Sequence, residues 1–215
     1  MDRTAALQLD QELALYEPSH VPALLRVPAQ QFLALDGNGS LVGLEFQAAA
    51  RVLGIVSGEI VQLCRRGLGL AVPPGPLEAL WHSPDGDGFD QDDRSRWTWT
   101  VMVRCPEVLA PELVEELLLR LATETEQVGF ERVRILKRSA ERVAQRVHVG
   151  PDRTQRRALA DLHAFIARQG LCCHGRQHEI YLTDPTGTEL ERLVTIIRQP
   201  VRARVPNPDP VRGRT

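Results

Sequence analysis

The stretch that decides the fold is residues 97–106, WTWTVMVRCP, in which tryptophan and valine alternate with threonine and methionine. An alternation with a period of two is typical of a β-strand whose two faces differ in burial. The end of this stretch, VMVRCP at residues 101–106, returns as TIIRQP at residues 195–200: apolar residues, an arginine, one variable residue and a proline. We interpret the two stretches as the closing strands of two similar halves.

The same order of elements precedes both closing strands: a strand that ends in a glycine-containing turn, an amphipathic helix and a second strand. These elements are predicted at residues 32–35, 44–63 and 77–81 in the first half, and at 143–149, 154–169 and 178–183 in the second. A short strand at 68–72, a helix that begins at Pro111 and a strand at 132–136 complete the prediction. The pattern predicts an α+β fold made of duplicated strand-helix-strand-strand units with antiparallel sheets.

The domain organisation follows from these elements. Residues 1–26 are predicted to be a leading helix, at 7–16, and a proline-containing linker. Residues 27–201 form one domain whose halves span about 27–106 and 130–200. Residues 202–215 are rich in proline and arginine and have few apolar side chains, so we expect a mobile tail.

Composition excludes several classes of function. The chain has 215 residues, 43% of them hydrophobic, and a formal net charge of -2, which does not favour nucleic-acid binding. It has no apolar stretch long enough to span a membrane and no apolar signal core at its start, so we expect a cytoplasmic protein without a membrane partner. Its four cysteines show no CxxC pair, which agrees with that compartment.

All three tryptophans, Trp81, Trp97 and Trp99, lie within nineteen positions of one another on predicted neighbouring strands. Strand alternation places Trp97 and Trp99 on one face, where Trp81 on the next strand would complete an aromatic wall for a flat or cationic ligand. The alternative is a tryptophan-rich patch of the core, since indoles are commonly buried.

A second candidate site lies in the segment QHEIYL at residues 177–182, where Glu179 and Tyr181 share a face of the strand. A carboxylate that faces aromatic rings is partly desolvated, which suits it to accept a proton, orient water or pair with a cationic ligand. The alternative is a glutamate that points to solvent or pairs with an arginine. His178 by itself is more typical of a structural histidine.

Other motifs fail on spacing. The adjacent Cys172 and Cys173, near two histidines, lack the separation of structural zinc ligands, and the acidic loop at 85–93 has Arg96 where a calcium loop needs an acidic residue. The glycines after the first strand do not match a dinucleotide-binding fingerprint. The sequence therefore implies no metal and no organic cofactor.

Six segments, in this order along residues 13–201, carry a resemblance to a known family. They are EFQ (45–47), VPPGPLEALW (72–81), WTWTVMVR (97–104), VHVGP (147–151), HEIYLTDP (178–185) and IIRQP (196–200). With them the sequence resembles the stand-alone GyrI-like small-molecule-binding proteins. The resemblance implies a duplicated strand-helix-strand-strand fold with a ligand cleft between the halves, a planar hydrophobic or cationic ligand, and a glutamate contact that maps onto Glu179.

One stand-alone subfamily resembles cyclopropanoid cyclopropyl hydrolases, which open the strained ring of DNA-alkylating yatakemycin-type antibiotics. The resemblance implies that Glu179 orients or deprotonates water, that His178 or His148 assists protonation of the substrate carbonyl, and that ligand-binding residues surround the substrate. Those ligand-binding candidates are Trp81, Trp97, Trp99, Tyr181, His148 and His82.

The sequence departs from the family pattern where it has Asp152, His82, Gly54 and Leu70 in place of aromatic residues. We therefore expect a thinner aromatic cage. The main hypothesis is a hydrolase that confers antibiotic resistance or detoxification and acts as a monomer or weak dimer. The alternatives are a non-catalytic protein that sequesters or senses hydrophobic or cationic drugs, and a gyrase-inhibitor-like interaction module. The lack of room for a DNA-binding domain before residue 27 makes a transcription factor unexpected.

Overall fold

The computed structural model describes residues 14–83 and 94–204. Its strands are β1 (Ala23–Val27), β2 (Gln30–Asn38), β3 (Leu77–His82), β4 (Thr98–Arg104), β5 (Arg134–Arg138), β6 (Glu141–Val149), β7 (Leu171–Cys173), β8 (Gln177–Tyr181) and β9 (Val194–Ala203). Its helices are α1 (Leu44–Gly67), α2 (Pro111–Glu124) and α3 (Gln155–Arg168). The predicted α+β fold class is confirmed, with β2-α1-β3-β4 and β6-α3-β8-β9 as its two units.

The two units build sheets of matching order. In the first unit β4 lies between β3 and β2, and in the second β9 lies between β8 and β6. The units join where β3 pairs antiparallel with β8, from Leu77 opposite Tyr181 to Trp81 opposite Gln177. The two central strands of the sheet, β8 and β3, therefore come from different halves.

Helix α1 forms because its apolar side chains recur at helical spacing. Phe46, Leu53, Val56 and Ile60 are buried, while Glu45 in the first turn and two arginines in the last turn match the helix dipole. Helix α3 covers the second half in the same way with Leu159, Leu162 and Ile166. We call the sheet face that these helices cover the front face, and the other the back face.

A long two-stranded ribbon joins the two ends of the sheet. Strand β1 pairs with β6, β2 pairs with β5, and the register continues without a shift from Ala23 opposite Gln145 to Ala34 opposite Arg134. Each half thus lends a strand to the other half. Residues 23–26 were expected to belong to a linker, but they form part of β1. The strand is short and lies between Pro22 and Pro28, so its sequence alone does not distinguish it from an extended linker.

Other differences are local. Residues 68–72 form no strand, and β7, which is three residues long, was not predicted. Strand β9 continues to Ala203, two residues past the predicted domain end, because β7 pairs with this extension. The leading helix at 7–16 falls mainly on residues outside the described part, as do the acidic loop at 85–93 and most of the tail.

Within residues 14–83 and 94–204, no helix is both long enough and apolar enough to cross a membrane.

Candidate ligand-binding site

The site predicted from the tryptophans is a buried cluster of five aromatic rings on the front face. The Phe46 ring stacks on Trp81 with centroids 5.6 Å apart and planes 6° apart. Trp99 and Tyr181 meet Phe46 edge to face at 5.4 and 6.1 Å. Trp97 lies 6.2 Å from Trp81. Both stacked and edge-to-face pairs are favourable arrangements for aromatic rings, so the cluster is well packed as well as aromatic.

Strand register explains why these side chains meet. Trp81 of β3 lies directly opposite Trp99 of β4, and directly opposite residues point to the same face. Tyr181 reaches the cluster from β8, across the junction of the halves. A Cβ atom at Gly37 of β2 would overlap the Trp99 ring, so the absence of a side chain there makes room for the indole.

Glu179 lies beneath the rings and is fully buried, with 0% exposure. Its carboxylate accepts hydrogen bonds from Gln177 Nε2 at 2.8 Å, from the Tyr181 hydroxyl at 2.9 Å and from an Arg94 nitrogen at 2.9 Å. The Tyr181 hydroxyl in turn accepts a hydrogen bond from Trp81 Nε1 at 3.1 Å. The carboxylate and the aromatic rings therefore form one connected network.

Arg94 completes this network. Its guanidinium carbon lies 4.9 Å from the ring centroids of both Trp81 and Trp97, which is cation-π distance. One of its nitrogens pairs with Glu179 at 2.9 Å and donates a hydrogen bond to Gln155 Oε1 of α3 at 3.2 Å. Arg94 is only 4% exposed, so a charged side chain fills the space beside the indoles.

The structure brings together most of the residues that the sequence singled out. Trp81, Trp97, Trp99 and Tyr181 belong to the aromatic cluster, and Glu179 is hydrogen-bonded to it through Tyr181. The tryptophans are buried in the core, as the alternative reading expects, and they lie beside the buried Arg94–Glu179 ion pair.

His148 lies on the front face of β6, where Thr154 Oγ1 and the Pro151 carbonyl are within 3.2 and 3.3 Å of its Nε2. Burial lowers the pKa of His148, and the Pro151 hydrogen bond and the charge of Glu179 oppose part of this shift. A neutral imidazole therefore lies beside the site.

His178 and His82 do not join the cluster. His178 precedes Glu179 on β8 and so points to the back face, where it contacts Glu78 and Arg138. His82 is exposed at the end of β3. The structure thus separates His178 from Glu179 by the thickness of the sheet, because neighbouring residues of a strand point to opposite faces.

The back face holds a second buried polar network. His178 Nε2 donates to the Glu78 carboxylate at 2.6 Å, and its Nδ1 accepts from Arg138 at 3.1 Å. Tyr16 also donates to Glu78, at 2.8 Å. Burial alone would raise the pKa of Glu78, but the hydrogen bonds from His178 and Tyr16 and the charge of Arg198 lower it. This network lies on the face of the sheet opposite the aromatic cluster.

Sequence reasoning missed three residues of the front-face site. Phe46 was noted only within a motif, although its position in the buried stripe of α1 could have placed it in the core. Gln155 begins α3 and is buried, which no local pattern indicates. Arg94 belongs to a single 3-10 turn, Arg94–Arg96, that leads into Trp97, and an isolated arginine there looks like any surface residue.

Solved structures give the family. No family model matches the chain, and no curated protein shows significant similarity to it. An uncharacterized conserved protein from Listeria innocua is 31% identical, with a TM-score of 0.79, over 90% of this chain and 98% of that one. A hydrolase from Listeria innocua is 29% identical, with a TM-score of 0.78, over 90% and 97%.

A more distant structure, the C-terminal domain of EcmrR, supports the fold alone. It is 13% identical, with a TM-score of 0.51, over 86% of this chain and 98% of that domain. The high coverage of both chains by the first Listeria innocua protein, at 31% identity, is the decisive observation. The chain belongs to the family of this Listeria innocua protein, and its fold is the GyrI-like fold that the sequence motifs predict.

Proposed function

We propose that the chain binds planar aromatic small molecules at the front-face cluster and hydrolyses one class of them, cyclopropanoids of the yatakemycin type. The observation that carries the proposal is the fully buried Glu179 carboxylate beneath five aromatic rings. A flat substrate gains dispersion contacts from such rings, and a buried carboxylate can order a water molecule beside it. The similarity to a hydrolase at 29% identity supports hydrolysis as the type of reaction.

The proposed reaction requires the protein to orient the substrate and a water molecule and to accept a proton. In a spiro-cyclopropane conjugated to a dienone, water attacks a ring carbon, a ring C–C bond breaks, and its electrons pass to the carbonyl oxygen, which becomes a phenolate. The attacking water loses a proton to Glu179, and one proton returns to the phenolate oxygen, which becomes a phenol, so that Glu179 is regenerated and only one water is consumed. Holding the substrate and water in contact lowers the barrier through orientation.

Two histidines were predicted to protonate the carbonyl. We retain only His148, as a neutral imidazole that can hydrogen-bond to the carbonyl oxygen rather than as its acid, because it shares the front face with Glu179, whereas His178 lies on the other face. Trp81, Trp97, Trp99 and Tyr181 would position the planar ring system.

A specific observation favours a second candidate, non-catalytic sequestration. Glu179 already accepts three hydrogen bonds, one of them from a paired arginine, which suits a counter-ion more than a free base. A binding protein needs only the rings and the charge.

Incubation of the protein with a yatakemycin-type cyclopropanoid, followed by mass spectrometry, separates the two functions. We expect a gain of one water faster than in the protein-free control, with quenching of tryptophan fluorescence. Glu179→Gln should abolish turnover and retain binding of an uncharged ligand, while Glu115→Gln, an exposed change on α2, should leave both intact. Quenching without turnover would favour sequestration, and a fully active Glu179→Gln variant would remove the catalytic role of Glu179.

A further inference from the structure

The space beside Trp81 and Trp97 is already filled by a group of the protein. The guanidinium carbon of Arg94 lies 4.9 Å from both ring centroids, while the centroids themselves are 6.2 Å apart. A flat ligand that stacks on either indole from this side needs the same space. Besides the Arg94 guanidinium, the Phe46 ring stacks on Trp81, and Phe46 belongs to the core.

Arg94 also forms an ion pair with Glu179, the buried carboxylate of the site. It pairs with Glu179 at 2.9 Å, and the two side chains are 2% and 0% exposed. A guanidinium is a flat, delocalised cation that stacks on aromatic rings and pairs with carboxylates. Both features that would attract an aromatic cation, the indole faces and the carboxylate, are thus engaged by a group of the same chemistry.

We propose that Arg94 is a specificity-determining residue of this site, an internal cation that competes with cationic ligands for Trp81, Trp97 and Glu179. The wild-type site therefore discriminates against aromatic cations and in favour of uncharged planar ligands. This inference rests on the proposed function, that the front-face cluster binds planar small molecules.

Charge balance gives the physical reason. Among the described residues, the positive charge of Arg94 and the negative charge of Glu179 offset each other in the buried site, and an uncharged ligand that shifts the guanidinium off the rings keeps that balance. A cationic ligand either places a second positive group beside one carboxylate or moves the guanidinium away from Glu179, and both changes are costly in a buried site. Specificity of this kind comes from a penalty on the wrong ligand.

Two probes of the same ring system test the proposal: N-methylacridinium, which is a permanent cation, and acridine, which is uncharged at about pH 8. Binding is measured by isothermal titration calorimetry for the wild type, Arg94→Gln, Arg94→Lys and Arg96→Gln. Arg96 is the matched control because it belongs to the same turn and is exposed. Arg94→Lys keeps the charge beside Glu179 and loses the flat stacking group, so it carries the test if Arg94→Gln does not fold.

We expect Arg94→Gln to bind N-methylacridinium at least about tenfold more tightly than the wild type, equivalent to about 1.4 kcal/mol. Arg94→Lys should bind it several-fold more tightly, acridine affinity should change less than about threefold, and Arg96→Gln should match the wild type. Unchanged or weaker cation binding in folded Arg94 variants, with acridine still bound, would overturn the role of Arg94 and leave the proposed function standing. Failure of every variant to bind either probe would overturn the proposed binding function and this inference with it.

Discussion

We expect the free energy of unfolding to decrease in mild acid because His178 is buried as a neutral imidazole. Its Nδ1 accepts a hydrogen bond from Arg138, and its Nε2 donates to Glu78, so the neutral imidazole satisfies both partners. A proton on Nδ1 would break the first contact and place two positive groups side by side. Burial lowers the pKa of His178 from 6.5 to about 4, and the hydrogen bond and charge of Glu78 offset only part of this shift.

The sign and size of the effect follow from proton linkage. In the unfolded chain His178 takes up a proton near pH 6.5, whereas the folded protein keeps it neutral until about pH 4. Between these values the unfolded state binds more protons than the folded state. The contribution of His178 to the free energy of unfolding is therefore fully present above the unfolded pKa and decreases as the pH drops below it. At 1.36 kcal/mol per pH unit, His178 alone costs about 2 kcal/mol between about pH 7 and pH 5.

Urea denaturation followed by tryptophan fluorescence, at about pH 7 and about pH 5, measures this loss. His178→Gln is the informative variant, because its amide can still donate to Glu78 and accept from Arg138 but does not titrate. We expect its loss of stability between the two pH values to be smaller than that of the wild type by about 2 kcal/mol. His20→Gln, a change at an exposed histidine, should keep the wild-type dependence.

Two results would refute this reasoning. One is a wild-type free energy of unfolding that is the same at both pH values. The other is a His178→Gln variant whose pH dependence equals that of the wild type, since the titrating group would then lie elsewhere.

Two further predictions concern packing and the back-face network. Gly37→Ala should lower the free energy of unfolding by about 1 to 3 kcal/mol, because its Cβ overlaps the Trp99 ring, whereas Gly54→Ala, in open space on α1, should raise it by about 0.5 to 1 kcal/mol. Equal effects in urea melts of the two alanine variants would contradict this packing argument. Tyr16→Phe should cost about 1 to 3 kcal/mol in the same assay, because it removes a hydroxyl that donates to buried Glu78; a neutral effect would mean that water replaces the hydroxyl.

Local pattern was enough to find most elements of the fold. The alternation in residues 97–104 predicts β4, and the apolar stripe of residues 44–63 predicts α1, because side-chain periodicity reports which face an element buries. The repeated order of elements predicts the two units. The pairing of strands between the two units could not be predicted from the sequence. Strands β1 and β5 each pair with a strand of the other half, and the periodicity within a strand does not specify its partner.

The candidate site divides in the same way. The clustering of tryptophans and the alternation of Glu179 with His178 on one strand are properties of the sequence, and the structure places all three tryptophans in one core cluster with Tyr181, which hydrogen-bonds to Glu179. The same alternation places His178 on the back face. The sequence already implies this separation from Glu179, but only the structure shows that Glu78 and Arg138 are the partners of His178 there.

By itself, the sequence determined which side chains are apolar and at what period they recur, and hence the three described helices, most strands and the duplicated unit, while its ordered motifs carry the resemblance to the GyrI-like fold. Only the tertiary structure decided that Arg94, from a single turn outside the sheet, packs against two indoles and pairs with Glu179. Periodicity acts over a few residues along the chain, whereas Arg94 and Glu179 are 85 residues apart in sequence. Contacts of that kind depend on strand pairing and on the match of charge and shape between distant segments, which no local pattern encodes.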